Sequence, residues 1–153
     1  MQDQIRQSSS AIRRFAYMRD TTRSGDLAEL EITIALVRAG KRVLKPLSSA
    51  CRYDLAIDEG DGHFTRVQCK SGVLRAGRIT FRTASMSASR PGRTYHGEID
   101  AFGVYCSETH EAYLVPMTTI ASYGTMASLR VVPSRNGQRA RVRSASGFRI
   151  GRE

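Results

Sequence analysis

The chain predicts an α/β domain in which helices flank a mixed β-sheet of four to six strands. Three observations predict it. Apolar residues recur at helical spacing up to Ala39, just before a glycine. Two alternating runs flank an Asp-Gly turn between Tyr53 and Lys70. The order helix, strand, hairpin, strand and then a second strand pair is that of a layered α/β domain. A length of 153 residues, 41% of them hydrophobic and 25% charged, suits one soluble core.

The elements follow in order. Residues 1–22 are polar and basic, and read either as an arm lying on a partner or as a frayed terminus. Thr22 or Ser24 caps the first helix, Asp26 sits in its first turn, and Gly40 stops it. Leu27, Leu30, Ile34 and Val37 form its core stripe, Glu29 stands beside that stripe, and Glu31 faces solvent. Arg42–Leu47 reads as the first strand. A strand follows over Gly77–Thr83, with Arg78 and Arg82 on one face and Ile79 and Phe81 on the other. Ala101–Cys106 and Glu111–Met117 read as a strand pair, Thr118–Tyr123 as a short helix and Leu129–Val132 as a last strand. The tail from Ser134 is either an edge strand or disordered.

The central hairpin carries the chemistry. With Asp61 at its centre, Asp54 opposes Gln68, and directly opposed residues share one face about 5 Å apart. Lys70 shares that face, while Val67 and Cys69 point to the apolar one. Ser71 and Gly72 end the strand. A carboxylate and a carbonyl-type oxygen this close can grip a hard cation such as magnesium, and an ammonium beside them can orient a water or neutralise charge on a phosphate. Glu29 is the candidate for a further oxygen ligand.

The run Ser24-Gly25-Asp26-Leu27-Ala28-Glu29, then Tyr53-Asp54, then Gln68-Cys69-Lys70-Ser71-Gly72 resembles the PD-(D/E)xK nuclease superfamily over about residues 23 to 116. The spacing of Gly25 and Glu29 is similar to that of archaeal Holliday-junction resolvases. Gln68 in place of the acidic residue looks more like the small homing endonucleases of group I introns. Tyr53 stands where the family has proline, and Gln68 leaves two carboxylates, Glu29 and Asp54, in the site. The resemblance implies a restriction-endonuclease-like core and a magnesium-dependent endodeoxyribonuclease, with manganese as a substitute. It implies Glu29, Asp54, Gln68 and Lys70 as catalytic residues. The metal ligands would be Glu29, Asp54, Gln68 and the main-chain carbonyl of Cys69. Gly25, Tyr95 and Asp100 would support the site, although Asp100 reads equally as a turn cap. The chain then divides into a basic arm (1–22), a nuclease-like domain (23–133) and a basic tail or edge strand (134–153).

The charge distribution agrees with a phosphodiester partner. Net charge is +10, and 21 of the 24 basic residues are arginine. No acid occurs between Ser71 and Gly97, which holds Arg75, Arg78, Arg82, Arg90 and Arg93. None occurs between Ala112 and Arg152, where Arg139, Arg141 and Arg143 alternate. Acidic residues gather around the proposed site instead. Arg52, Ser71, Arg75, Arg78, Arg82, Arg90, Arg93, Arg139 and Arg141 are the expected DNA contacts; the alternative is a solvated basic surface. Double-stranded DNA is the expected partner, cut by a homodimer or homotetramer because one small chain addresses one strand. A homing-type endonuclease is the first reading. A junction-resolving nuclease and a non-catalytic DNA-binding module with a degenerate site are the alternatives. No apolar run approaches the length of a membrane helix, and the first residues lack the apolar core of a signal peptide, so a cytoplasmic setting is expected. Cys51, Cys69 and Cys106 have no zinc spacing, and the last two read as small core residues. His63, His96 and His110 read as surface residues.

Overall fold

The computed structural model describes residues 2–85, 92–120, 124–132 and 143–151, with side chains from residue 20 onward. Helix α1 (Gln2–Arg38) is followed by β1 (Arg42–Leu44), β2 (Leu55–Asp58), β3 (Phe64–Arg75) and β4 (Arg78–Arg82). Then come β5 (Ala101–Cys106), β6 (Glu111–Pro116), the single turn α2 (Met117–Ile120), β7 (Met126–Arg130) and a 3-10 turn at Ala145–Phe148.

All seven strands join one mixed sheet, more than the four to six expected. The path is β1-β2-β3-β4-β7, and β5 branches from β3 and carries β6. Strand β3 is the trunk. It pairs antiparallel with β2 and then β4 on one edge, and parallel with β5 on the other. The pairs Leu55↔Val67 through Asp58↔Phe64 are centred on Asp61, as the turn chemistry predicts. Strand β3 does not end at Ser71-Gly72 but runs on to Arg75. Gly72 serves close packing there: an added Cβ would lie 2.5 Å from Cγ2 of Ile79 and 2.9 Å from Cγ1 of Val104.

Helix α1 departs from expectation twice. It passes through Thr22 and Ser24 without a break, so neither caps a start. Nothing upstream interrupts it, since residues 11–19 are mostly good helix formers with no proline or glycine. Its buried stripe is Ala28, Ile32 and Leu36 rather than Leu27, Leu30, Ile34 and Val37, all four of which are exposed. The two stripes lie on opposite sides of the helix, and the sheet selects one. Ile32 seats over Gly103 of β5, where an added Cβ would come within 2.8 Å of Cγ2 of Ile32. A branched side chain meeting a glycine notch fills space that the Leu30 stripe would leave empty.

The core has two parts. Ala28, Ile32, Leu36, Leu55, Ile57, Val67 and Cys69 pack between α1 and the sheet. Ile79, Phe81, Tyr95, Phe102, Val104, Cys106, Tyr113 and Leu129 form the larger part. Cys69 and Cys106 are buried core thiols, as expected. Strands β1 and β7 differ from the expected Arg42–Leu47 and Leu129–Val132, being shorter and shifted respectively. The expected helix Thr118–Tyr123 starts one residue earlier, and its last three residues lie outside the described residues, as does most of the tail.

Candidate active site

The site lies at a fork. On one edge of β3, the ladder to β2 ends at Leu55↔Val67 and the ladder to β4 begins at Val73↔Thr80. The opposite edge is continuously paired with β5 from Val67 to Gly72. Between the two ladders the open edge of β3 needs other partners. Asp54, immediately before β2, supplies one: its Oδ2 accepts the Cys69 amide at 2.7 Å, and its own amide donates to the Val67 carbonyl at 2.9 Å. The N–H and C=O of one strand residue point to the same edge, so the Cys69 carbonyl faces the same fork.

Gln68 stands opposite Asp54 as the register requires, and its amide nitrogen donates to Asp54 Oδ2 at 2.5 Å. Burial pushes the Asp54 carboxyl above the usual range, the Cys69 amide opposes the shift, and the nearby Glu29 charge adds to it. Burial first, and then the two carboxylates, push the Cys69 thiol far up, so its sulfur is neutral. Glu29 reaches the fork from the flank of α1's buried stripe. It does so ion-paired with Lys45, which follows β1. Lys45 has no role in the sequence reading, although it is one of only three lysines in the chain.

Lys70 is fixed from the other side. Its ammonium donates to the Tyr95 hydroxyl at 3.0 Å and lies 4.9 Å from the ring centroid. Tyr95 is buried against Phe102 edge to face, which fixes the hydroxyl. Arg52 covers the same ring at 4.3 Å and is bonded to Glu98, whose other oxygen holds Arg93. Glu98 therefore clamps two of the expected DNA-contacting arginines, a role nothing in its sequence context signals.

The other expected residues divide. Ser71 donates to the Ser24 carbonyl at 2.9 Å, tying β3 to α1. Gly25 lies within the helix with no atom near an added Cβ. Asp100 sits on Arg66, accepting its amide at 2.8 Å and its guanidinium at 3.0 Å, which anchors the start of the β3–β5 pair. Arg75, Arg78 and Arg82 are exposed along β3 and β4, with Ile79 and Phe81 buried as expected. Arg82 also lines a groove of about 800 Å³ that runs from Lys70 and Ser24 past Thr80 and Ser85. Arg90, Arg139 and Arg141 lie outside the described residues.

Glu31 is half-buried near Tyr105 rather than solvent-facing. Asp58, Glu59 and Asp61 brace the far end of the hairpin instead of joining the site: Asp58 binds Arg42, Glu59 binds Lys41 and Asp61 caps the His63 amide. His63 and His96 are exposed, and so is His110, whose Nδ1 lies 3.5 Å from the Tyr105 hydroxyl.

A mixed sheet with a long helix on one face and an acidic-and-lysine fork on its trunk strand defines a restriction-endonuclease-like nuclease fold. A profile describing the PD-(D/E)XK endonuclease matches residues 19–151, and the chain belongs to that family. The solved structure of a bacterial homing endonuclease, I-Ssp6803I, superposes with a TM-score of 0.62 at 26% identity, covering 85% of this chain and 86% of that one. No curated protein matches the chain. Among the described residues, no helix is long and apolar enough to cross a membrane.

Proposed function

We propose that the protein is a metal-dependent DNA endonuclease of the homing type. It hydrolyses phosphodiester bonds with Asp54, Glu29, Gln68 and Lys70, and acts in the cytoplasm on double-stranded DNA. The observation that carries this reading is the fork itself. It is the gap between the two ladders on that edge of β3, and it brings together two carboxylates, an amide, the Cys69 carbonyl and a lysine held by a buried tyrosine. The similarity to a solved homing endonuclease supports the subtype.

The donor set fits one hard divalent cation. Its atoms are oxygens from two carboxylates, the Gln68 amide and the Cys69 carbonyl, with water and phosphate to complete the shell. Among the described residues, no group of three or more His, Cys, Asp or Glu is placed to hold a metal ion, so this reading rests on two carboxylates together with amide and carbonyl oxygens. Magnesium, or manganese in its place, would supply Lewis-acid stabilisation of charge on the phosphate. Asp54 and Glu29 would hold the cation, and Gln68 would turn its amide end for end to present oxygen. Lys70, aimed by Tyr95, would orient the attacking water and neutralise charge on the scissile group. Arg78, Arg82 and the groove beside Lys70 would carry the flanking backbone. A homodimer or homotetramer would present a site to each strand.

The test is cleavage of supercoiled plasmid and of a four-way junction, with magnesium, manganese or EDTA. Metal-dependent cutting of duplex is expected, with Asp54→Ala and Lys70→Ala each lowering it by about 10²–10³-fold, the scale of losing a preorganised charge partner. Cutting confined to the junction would replace homing by resolving. Salt-sensitive DNA binding with no cutting and no metal uptake would make the chain a binding module.

A further inference from the structure

Lys45 is the residue at the fork that the reaction does not account for. It follows β1 directly, its side chain is 69% exposed, and its ammonium lies on Glu29, whose side chain is 25% exposed. Its contact is with Glu29, and its charge also favours the ionised form of Asp54. The Glu29 charge pushes the Asp54 carboxyl upward, and a cation beside the two carboxylates relieves that repulsion. Lys45 and Lys70 supply two positive charges and make the fork formally neutral.

Stability does not explain the pair. An exposed ion pair on a long side chain contributes little to folding. Its position is more telling. The ammonium on Glu29 Oε1 competes with a divalent ion for that carboxylate, occupying one of its oxygens and repelling a second cation, so metal uptake is favoured when the ammonium leaves. Lys45 has the means, because a four-carbon exposed stem swings easily and an ammonium is a point-charge partner for phosphate.

We propose that Lys45 is a resident counter-cation: it occupies the cation's place at Glu29 in the free protein and yields it when a nucleic-acid phosphate takes its ammonium. This rests on the nuclease reading above. Divalent metal and DNA then bind cooperatively, each favouring the state that the other needs. The free protein is kept from loading metal at full strength away from its substrate.

Manganese binding, followed by electron paramagnetic resonance on the full chain, tests this with and without a short phosphorothioate duplex. Wild type should take up manganese weakly alone and about tenfold more tightly with duplex, within the usual range of coupling between sites. Lys45→Met should bind about tenfold more tightly alone and gain little from duplex, with an unchanged thermal midpoint. Lys45→Arg, which keeps the charge, should stay weak. Lys70→Met removes an equal charge without freeing Glu29 and should tighten binding much less. If Lys45→Met binds no more tightly than wild type while Glu29→Gln loses the metal, Lys45 is not the counter-cation and the nuclease reading stands. Equal tightening by Lys70→Met overturns the proposal too, because the effect would then be a general field. If no form takes up manganese with or without duplex, this proposal and the metal-dependent reading fall together.

Discussion

The β2–β3 hairpin and helix α1 meet at the same site, yet different forces place their side chains. In the hairpin, one decision settles everything. The turn centred on Asp61 fixes the register, and a period of two sends Val67 and Cys69 to the core and Gln68 to the fork. The helix has no such lock. It carries apolar residues on two opposite stripes, and its own backbone is indifferent to which one is buried. The choice is made by the sheet, through the fit of Ile32 into the gap over Gly103. A ligand on a hairpin is therefore positioned by its neighbours in sequence. A ligand on a helix is positioned by packing far from it, and Glu29 inherits its aim from Ile32.

That contrast breaks most visibly at Ile32. Ile32→Ala empties the notch and should cost about 3 kcal/mol, in the range for truncating a buried isoleucine. For a domain of this size that lowers the thermal midpoint by roughly 6–12 °C. Leu30→Ala, on the outer stripe, should stay within about 0.5 kcal/mol. Urea denaturation followed by circular dichroism measures both. An equally large loss at Leu30 would mean that the outer stripe is covered in solution, and the loss would then depend on protein concentration. Ile32→Ala should also lower nuclease activity in its folded fraction, by letting Glu29 drift, whereas Leu30→Ala should not.

The same contrast decides what the sequence could disclose. Asp54, Gln68 and Lys70 were legible because turn chemistry and strand alternation are local. The helix rotation was not, because Leu27, Leu30, Ile34 and Val37 make as regular a stripe as Ala28, Ile32 and Leu36, and nothing in the helix itself says that a glycine waits opposite. The start of α1 was misplaced because Thr22 and Ser24 are good caps only where a helix is interrupted. Lys45 and Glu98 were invisible as neighbours of the candidate site, since Lys45 meets Glu29 16 residues away, and Glu98 joins Arg93, five residues away, to Arg52, 46 residues away. The fork itself depends on where two ladders stop, which no single run of residues specifies.

Gly72 probes the boundary between the two regimes, since it lies on the hairpin's long strand but is selected by tertiary contact. Gly72→Ala would press a Cβ to 2.5 Å from Ile79 and 2.9 Å from Val104. Both neighbours are buried and cannot yield cheaply, so the expected cost is about 1–3 kcal/mol. Because β4 must shift away from β3, the fork widens, and activity should fall further than stability accounts for. If Gly72→Ala is neutral in urea and in cleavage, the β3–β4 contact is soft, and Gly72 is an ordinary strand residue rather than a packing requirement.

The smallest effect is expected at Asp100, where the hairpin's strand is anchored to β5. The Arg66 side chain, through its hydrogen bonds, is the largest influence holding the Asp100 carboxyl below the usual range, and the Arg66 amide adds to it. A depressed carboxyl contributes stability above its unfolded-state range and loses it as pH falls through the folded one. Both side chains are more than a third exposed, so the contribution is below about 1 kcal/mol. Asp100→Asn should therefore lower the urea midpoint slightly at neutral pH. The gap from wild type should close in acid, where the wild-type carboxyl is itself protonated. Cleavage by this variant decides between the two roles open to Asp100. A modest loss that tracks stability leaves it as the anchor that its Arg66 contacts describe. A loss of several hundredfold at unchanged stability would bring Asp100 into the chemistry, and the fork would then extend one strand further along β5.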